Sequence, residues 1–175
     1  MIVPNMTQDL SYTVFKTSYG WVGILGSSAG LRCTTLPQPS EKAAITSLGN
    51  DVGEAVPTTE RFSDLIKRFQ AYFSGQSVAF PDELDYRGFT PFQRGVWQAT
   101  RRIPYGQTRS YGWVAHQLGK PGAARAVGQA LGKNPFPIIV PCHRVLAGDG
   151  GLGGFSGGLE TKKSLLILEK ATIPR

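Results

Sequence analysis

The sequence predicts an α+β protein in which a small antiparallel sheet precedes a mostly helical region. Residues 11–36 form short runs of alternating apolar and polar side chains separated by glycines, a pattern typical of strands. Residues 60–73 and much of the chain after residue 90 instead repeat apolar side chains every three or four positions, as helices do. With 175 residues, 41% of them hydrophobic, the chain can build one medium domain or two small ones.

The first predicted element is a meander of three antiparallel strands, at Ser11–Thr17, Trp21–Leu25 and Leu31–Leu36. Residues 37–59 contain several prolines and glycines and are predicted to form a loop. Within this loop the sequence favours one short helix, from Glu41 to Leu48.

The clearest helix of this half is predicted from Glu60 to Phe73, ending before Gly75. Its apolar side chains recur at spacings of three and four, at Phe62, Leu65, Ile66, Phe69, Tyr72 and Phe73. We expect this stripe to pack against the sheet rather than to form a ligand site. An acidic, polar stretch at residues 81–88 follows, so we predict two domains, residues 1–89 and 90–175.

The C-terminal half opens with a helix that Thr90 caps and Pro91 begins. After a turn at residues 103–106, two short helices are predicted, from Ser110 to Leu118 and from Pro121 to about Leu131. A tight Gly-Lys-Pro-Gly turn joins these two helices, which is the pattern of a helix-turn-helix. Many helical hairpins share the pattern, so both interpretations stay open from the spacing alone.

The second of these helices has two different faces on a helical wheel. The face expected to meet the core carries Val127, Ala130 and Leu131. The opposite face is nearly bare and carries Arg125, Gly128, Gln129 and Gly132. A helix that recognises the major groove usually offers several long polar side chains. A bare helix with one arginine favours close approach to the minor groove, with local distortion of the duplex.

The charge is distributed unevenly along the chain. Residues 1–89 carry 7 basic and 9 acidic side chains, whereas residues 90–175 carry 12 basic and 3 acidic ones. The basic excess therefore lies wholly in the second half, which favours a polyanionic partner for that half. Charge alone is equally compatible with a solvated basic surface.

Two cysteines, Cys33 and Cys142, and two histidines, His116 and His143, provide little for metal binding. Two distant thiols do not make a secreted disulfide framework, and they can complete a four-ligand zinc site only if both histidines are recruited as well. Cys33 is predicted to be a buried structural thiol, and His116 a surface or packing residue. Without a long apolar run or a secretion signal, we expect a cytoplasmic protein that does not contact a membrane.

The most informative stretch runs from Asn134 to Val145, where three prolines and an apolar run lead to adjacent Cys142 and His143. Thiolate is the reactive form of cysteine, and its ordinary pKa is about 8.5, so a neighbouring histidine can activate it by taking the proton. Adjacent side chains on a strand point to opposite faces. The pair can therefore cooperate only if the chain bends or a water relays the proton.

Glu169 is a candidate third member of this group. The last predicted helix, from about Glu160 to Lys170, places Glu169 on the same stripe as its leucines. A carboxylate on a buried stripe needs a partner, and His143 would complete a set of nucleophile, base and orienting group. The alternative is an exposed carboxylate that pairs with Lys170 or Lys162.

The run Pro141-Cys142-His143-Arg144 resembles the active-site signature of the O6-alkylguanine-DNA alkyltransferases, also called methylated-DNA–protein-cysteine methyltransferases. Further matches over residues 90–170 follow the family's order: Phe92-Gln93, Val96-Trp97, Ile103-Pro104-Tyr105-Gly106, Ser110-Tyr111, Ala124-Arg125-Ala126-Val127-Gly128, Asn134-Pro135, Ser156-Gly157-Gly158, and Leu165-Leu166 through Glu169. The N-terminal half is similar only in outline. The resemblance implies a ribonuclease H-like N-terminal domain and a C-terminal domain with a winged helix-turn-helix.

The resemblance also implies a role for each matching residue near the sulfur. Cys142 is the alkyl acceptor, His143 removes its proton through a water, and Glu169 orients His143. Asn134 braces the turn before the cysteine. Tyr111 pushes at the adjacent phosphate and donates toward N3 of a flipped guanine.

The DNA-binding and pocket residues are implied in the same way. Arg125 fills the base stack after the damaged nucleotide rotates out. The other DNA contacts are assigned to Tyr111, Ala123, Ala124, Gly128 and Gln129. The base pocket is assigned to Pro137, Val145, Phe155 and Ser156, with the carbonyls of Cys142 and Val145 accepting from the exocyclic amine.

The implied function is DNA repair by a single, irreversible transfer of the alkyl group from O6-alkylguanine, and more weakly from O4-alkylthymine, to Cys142. The implied partner is double-stranded DNA that carries the lesion and is contacted in the minor groove. No cofactor is expected, and no metal either, because the zinc ligands of the human relative's N-terminal domain have no matching set in this chain. The protein is expected to be a monomer that can associate along DNA. Two positions depart from the family: Phe155 replaces a frequent Tyr or Gly, and Gln129 replaces a frequent small residue.

Three other functions fit the sequence less well than this one. A lesion-binding relative without transfer activity would lack the cysteine, which this chain keeps. A sequence-specific regulator would not need the reactive Cys-His pair and would present a richer helix face. A cysteine hydrolase would need an oxyanion site, to which nothing in the sequence points.

Overall fold

The computed structural model describes residues 9–171 of the chain. Its backbone contacts divide into two compact units, and the division falls between Asp85 and Tyr86. The domain boundary predicted from the sequence lies four residues later, between residues 89 and 90.

The N-terminal unit is built on a four-stranded sheet with the order β3-β2-β1-β4. β1 (Ser11–Thr17), β2 (Gly20–Ser27) and β3 (Gly30–Thr34) form the antiparallel meander that the alternating pattern predicts. β4 (Val56–Pro57) pairs in parallel with β1 and was not predicted. Two residues are too few to show any periodicity, so this strand is defined by its partner rather than by its own sequence.

Two helices belong to this unit. α1 (Glu41–Ser47) begins after Ser40, whose hydroxyl accepts a hydrogen bond from the Ala43 amide at 3.0 Å. α2 (Ser63–Phe73) follows a short 3-10 turn at Glu60–Phe62. All six side chains of the predicted stripe are buried, and the rings of Phe15 and Phe69 are 5.9 Å apart. The prediction that this stripe packs into the core is confirmed.

The C-terminal unit begins with α3 (Pro91–Arg101). Thr90 and Gln93 cap it reciprocally, since each side chain bonds the backbone amide of the other. α4 (Tyr111–Gln117) begins after Ser110, whose hydroxyl accepts from the Trp113 amide at 3.0 Å. Both caps were predicted, because local side-chain chemistry decides where such helices begin.

α5 (Ala124–Gly132) begins three residues later than predicted. Pro121 lies instead in a turn that closes with a hydrogen bond from the Ala123 amide to the Lys120 carbonyl at 2.9 Å. Gly122 is a poor helix former and continues this turn. The two faces of α5 are as predicted, since Val127 is fully buried whereas Arg125 and Gln129 are exposed.

α6 (Leu159–Leu168) is the last helix among the described residues, and Glu169 is its C-terminal cap rather than part of its last turn. A two-residue strand, β5 (Arg109–Ser110), pairs in parallel with β6 (Val145–Leu146), which precedes α6. The mixed fold class with a small sheet followed by helices is thus confirmed. None of the helices within residues 9–171 has the length and apolar character that crossing a membrane requires.

Candidate active site

A tightly bonded turn positions Cys142. The Val140 amide donates to the Phe136 carbonyl at 2.8 Å, and Ile138 at the tip of the turn has φ = 75°. A β-branched residue rarely adopts this left-handed conformation, so the backbone is strained there. The strained tip lies four residues before the sulfur.

Asn134 bonds this turn from within. Its side-chain oxygen accepts from the Phe136 amide at 2.8 Å, and its side-chain nitrogen donates to the Val140 carbonyl at 3.0 Å. The bracing role that the family resemblance implied for Asn134 is therefore compatible with its observed contacts.

Cys142 lies on a 3-10 turn, Cys142–Arg144, rather than on an extended strand. The Cys142 amide bonds the Val140 carbonyl at 2.7 Å, and the Arg144 amide bonds the Pro141 carbonyl at 2.9 Å. The chain therefore bends at the Cys-His pair. Because the chain bends here, the side chains of Cys142 and His143 are not held on opposite faces as they would be on a strand.

The thiol of Cys142 is 8% exposed and lines a pocket. Burial raises the pKa of this thiol, while a hydrogen bond from the Asn134 side chain and the charge of Lys162 lower it. The resting sulfur is accordingly protonated, and the thiolate needs a proton acceptor to form.

His143 is fully buried and bonds Glu169 through Nε2 and Oε2. Burial lowers the pKa of His143, an effect that Glu169 opposes and Arg144 adds to. Burial alone would raise the pKa of Glu169, but bonds from His143 and Arg144 hold it at about 2. The predicted coupling of His143 to Glu169 is present, and the alternative of an exposed Glu169 is excluded, since this residue is 2% exposed.

Two further side chains of this site were missed by the sequence analysis. Arg144 donates to Glu169 Oε1 at 2.7 Å from Nε. Lys162 is fully buried and donates to the carbonyls of Val145 at 2.6 Å and Gly154 at 3.2 Å. Burial lowers the pKa of Lys162 to about 8. The arginine was visible in the signature motif but had no assigned partner, and lysine on a helix usually signals a solvated face.

The pocket has a volume of about 430 Å³, within the range of sites that hold small organic groups. It is lined by Tyr111, Ala124, Arg125, Gly128, Gln129, Leu131, Gly132, Cys142, Gly154, Phe155 and Ser156. The fold thus brings one face of α5 together with the cysteine and with the glycine-rich segment before α6. His143 and Glu169 lie buried behind this surface rather than on it.

Of the residues that the resemblance assigns to DNA contact or to the base pocket, three do not line the pocket. Ala123 is the N-cap of α5, just outside the lining. Pro137 begins the turn at Ile138 and is half-buried. Val145 is fully buried, and its carbonyl accepts from Lys162. The turn accounts for the position of Pro137, and the buried lysine accounts for that of Val145. Neither the turn nor the burial of the lysine was predictable from local sequence.

Tyr111, at the start of α4, forms part of the pocket wall. Its hydroxyl donates to the Gly154 carbonyl at 3.2 Å, and burial raises the pKa of this hydroxyl. The Lys162 ammonium lies 5.8 Å from the centre of the Tyr111 ring. The phenol is therefore held as a neutral donor at the edge of the pocket.

The remaining cysteine and histidine lie outside the site. Cys33 is half-buried rather than fully buried, and burial raises the pKa of its thiol to about 11. His116 is exposed on α4, as expected. Within residues 9–171, no group of three or more His, Cys, Asp or Glu side chains is arranged to hold a metal ion.

The fold and the site define a class of protein in which a buried cysteine lines a pocket beside a helix with a bare outer face, and the next residue is a buried histidine bonded to a glutamate. Comparison with known proteins makes the class specific. A sequence model described as 6-O-methylguanine DNA methyltransferase, DNA binding domain, matches residues 91–171. The chain belongs to the methylated-DNA–protein-cysteine methyltransferase family.

Relatives support this membership along nearly the whole chain. The methylated-DNA–protein-cysteine methyltransferase of Methanosarcina acetivorans is 38% identical over 90% of this chain and 97% of its own length. That of Mycobacterium tuberculosis is 53% identical over 67% of this chain and 71% of its own. A crystal structure of Mycobacterium tuberculosis OGT in complex with DNA has a TM-score of 0.75 and 43% identity, covering 91% of this chain and 92% of that one.

Proposed function

We propose that this protein repairs DNA by transferring the alkyl group of O6-alkylguanine to its own Cys142, once per molecule. The observation that carries the proposal is the placement of the Cys142 thiol on a pocket, with the His143-Glu169 pair directly behind it. Family membership supplies the reaction class, and the site supplies a chemically complete set of groups for it.

The first step is the activation of the thiol. Glu169 holds Nε2 of His143, so the imidazole accepts the Cys142 proton at Nδ1, through a water. The imidazolium that forms is stabilised by the carboxylate, which stays ionised because its pKa is about 2. The Lys162 ammonium, which favours the charged sulfur, stabilises the thiolate at the same moment.

The second step is a direct displacement at carbon. The sulfur lone pair forms the new C–S bond while the bond between that carbon and guanine O6 breaks, and guanine leaves with the electron pair. The hydroxyl of Tyr111, which donates to the Gly154 carbonyl at rest, turns its single proton toward N3 as negative charge grows on the base. The proton lost by the thiol is finally taken up by guanine. The thioether has no group that could release it, so each molecule acts once.

The DNA-binding part of the proposal rests on α5. Its exposed Arg125 and Gln129, with Gly128 and Ala124, share the pocket with the sulfur. A helix this bare fits the minor groove, and Arg125 takes the place of the extruded nucleotide in the base stack. Extrusion is required because a stacked guanine cannot present O6 to a buried thiol. O4-alkylthymine is a weaker substrate, and the protein acts as a monomer on double-stranded DNA without a cofactor.

The decisive test is a mass spectrum of the protein after incubation with duplex DNA that contains O6-methylguanine. One added methyl group per chain, on the peptide that contains Cys142, is the expected result. Cys142→Ala should remain unmodified and keep its affinity for DNA, whereas the matched control Cys33→Ala should be methylated like the wild type. Methylation of the Cys142→Ala protein, or a wild-type protein that binds the lesion and stays unmodified, would overturn the proposal.

A second variant tests the finger role. Arg125→Ala should slow methyl transfer from duplex DNA far more than alkylation by the free modified base, because only the duplex requires extrusion. The exposed Lys163→Ala on α6 serves as a control for the loss of one positive charge. Equal losses on both substrates would remove Arg125 from the extrusion step.

A further inference from the structure

The buried carboxylate of Glu169 is shared by two basic side chains. His143 bonds Oε2, while Arg144 donates from Nε to Oε1 at 2.7 Å and to Oε2 at 3.3 Å. The Gly106 amide adds a third donor, at 3.3 Å from Oε1. Since the carboxylate is wholly removed from solvent, these partners determine its charge balance.

Arg144 is anchored independently of this carboxylate. Its Nη1 donates to the Ile103 carbonyl at 2.7 Å, and its guanidinium carbon lies 5.7 Å from the centre of the Tyr105 ring. A guanidinium held in this way keeps its place and its charge whether or not His143 is protonated.

Resting on the proposed function, we propose that Arg144 is a positioning residue that acts through Glu169. Its permanent charge balances the buried carboxylate, and this leaves the His143 imidazole neutral and able to receive the thiol proton. The guanidinium therefore keeps the general base in its working state before the lesion arrives.

The physical reason is the cost of an unbalanced buried charge. If Arg144 were neutral, the Glu169 carboxylate would favour an imidazolium as its partner, so the pKa of His143 would rise and a larger fraction of the imidazole would already hold a proton. A protonated His143 cannot accept the proton of Cys142. The guanidinium thus makes His143 a weaker base, but it leaves a larger fraction of the imidazole unprotonated and able to accept the thiol proton.

The other ionisable groups around His143 do not provide this balance. Lys162 also lowers the pKa of His143, but its ammonium donates to two backbone carbonyls and its own pKa is only about 8. Tyr105 faces the carboxylate and the guanidinium as a neutral phenol whose pKa is raised by burial and by Glu169. Cys142 is a thiol at rest. Arg144 is thus the permanent cation among the described groups that contact Glu169.

The test compares Arg144→Gln, which keeps donor groups without the charge, with Arg144→Lys, which keeps the charge. The chain has two histidines, so an NMR pH titration of their ring signals isolates His143, and the exposed His116 serves as an internal reference. In Arg144→Gln the His143 titration and the acidic limb of the rate of methyl transfer should both move up by about one pH unit. In Arg144→Lys both should stay within about 0.3 pH unit of the wild type.

Arg102→Gln, which removes an exposed charge at the end of α3, is the control for a general electrostatic effect and should move neither quantity. Equal displacement in the Gln and Lys variants would assign Arg144 a purely structural role and overturn the inference, as would no displacement in either. If Arg144→Gln does not fold, Arg144→Lys decides, since a displaced His143 titration there contradicts the proposal. The NMR titration does not depend on methyl transfer, so failure of the proposed function is recognised separately.

Discussion

The strained residue Ile138 gives a prediction in which the sign of an effect, rather than its size, tests the structure. Ile138 is 2% exposed and has φ = 75°. For a residue with a Cβ this conformation costs roughly 1–2 kcal/mol, whereas glycine adopts it freely. The perturbation is a pair of substitutions, Ile138→Ala and Ile138→Gly, compared with each other.

The expected magnitudes follow from burial and conformation. Ile138→Ala removes buried methyl and methylene groups and should lower the free energy of unfolding by about 2–5 kcal/mol. In an ordinary conformation the further step from Ala to Gly would cost about 0.5–1 kcal/mol more, because glycine loses more entropy on folding. At φ = 75° the relief of strain exceeds that cost. Ile138→Gly should therefore be more stable than Ile138→Ala by about 1 kcal/mol.

The adjacent residue provides a matched control. Ile139 is 3% exposed and is not among the described residues with positive φ. Ile139→Gly should be less stable than Ile139→Ala by about 1 kcal/mol, so the two positions should differ in sign.

Urea or guanidinium denaturation of the four variants measures these differences directly. If the Gly variant were less stable than the Ala variant at both positions, the turn at Ile138 would not be strained. The same variants connect the turn to the site, because Ile138→Gly should react more slowly at Cys142 than its stability alone explains. A glycine at the tip loosens the segment that presents the sulfur.

Three further predictions concern the ionisable and hydrogen-bonding groups. Glu169→Gln should lower the free energy of unfolding at pH 7 by about 3 kcal/mol, since the pKa of Glu169 falls from 4.5 to about 2 on folding. The stability contributed by the ionised carboxylate is present above pH 4.5 and is lost as the pH falls toward 2. In denaturant titrations the difference in unfolding free energy between wild type and Glu169→Gln should therefore narrow below pH 4.5, and a constant difference would contradict the prediction. Lys162→Met should slow carboxamidomethylation of Cys142 severalfold at pH 7, because the ammonium favours the thiolate, with exposed Lys163→Met unchanged; equal rates for all three proteins would count against this role. Asn134→Ala should lower the free energy of unfolding by about 1–3 kcal/mol in thermal or denaturant melts, because it leaves two backbone groups without their partner. Asn134→Asp keeps only the oxygen that accepts from the Phe136 amide, so a loss for Asn134→Ala no larger than that for Asn134→Asp would show that this accepted bond contributes nothing.

The sequence predicted those features that local chemistry decides. Thr90 and Ser110 start their helices through bonds within four residues, and the periodicity of α5 alone identifies its buried and exposed faces. The link from His143 to Glu169 spans 26 residues. The buried stripe made His143 a candidate partner of Glu169, and the family resemblance favoured this pair over an exposed carboxylate. Local pattern and family resemblance together therefore predicted the outline of the site.

The features that were missed depend on particular backbone hydrogen bonds, some within a turn and some between distant segments. The start of α5 is decided by a turn at Lys120, and the conformation of Ile138 by hydrogen bonds across its own turn. Lys162 can be buried because its ammonium donates to the carbonyls of Val145 and Gly154. The sequence of α6 alone does not show that these carbonyls lie nearby. Patterns in one segment cannot show which backbone carbonyls another segment leaves available.

The charge state of the resting site fits a protein that acts once. A permanently ionised Cys142 would react with any electrophile that entered the pocket, and under the proposed mechanism every such event would consume a molecule. Burial instead raises the pKa of the thiol, so under the proposed mechanism the reactive sulfur appears only when its proton passes to His143. That transfer requires an imidazole that is still neutral, which the balance of Glu169 by Arg144 maintains. Burial of the sulfur thus keeps the thiol protonated at rest. The arginine that balances the Glu169 carboxylate keeps the imidazole neutral and able to accept the thiol proton.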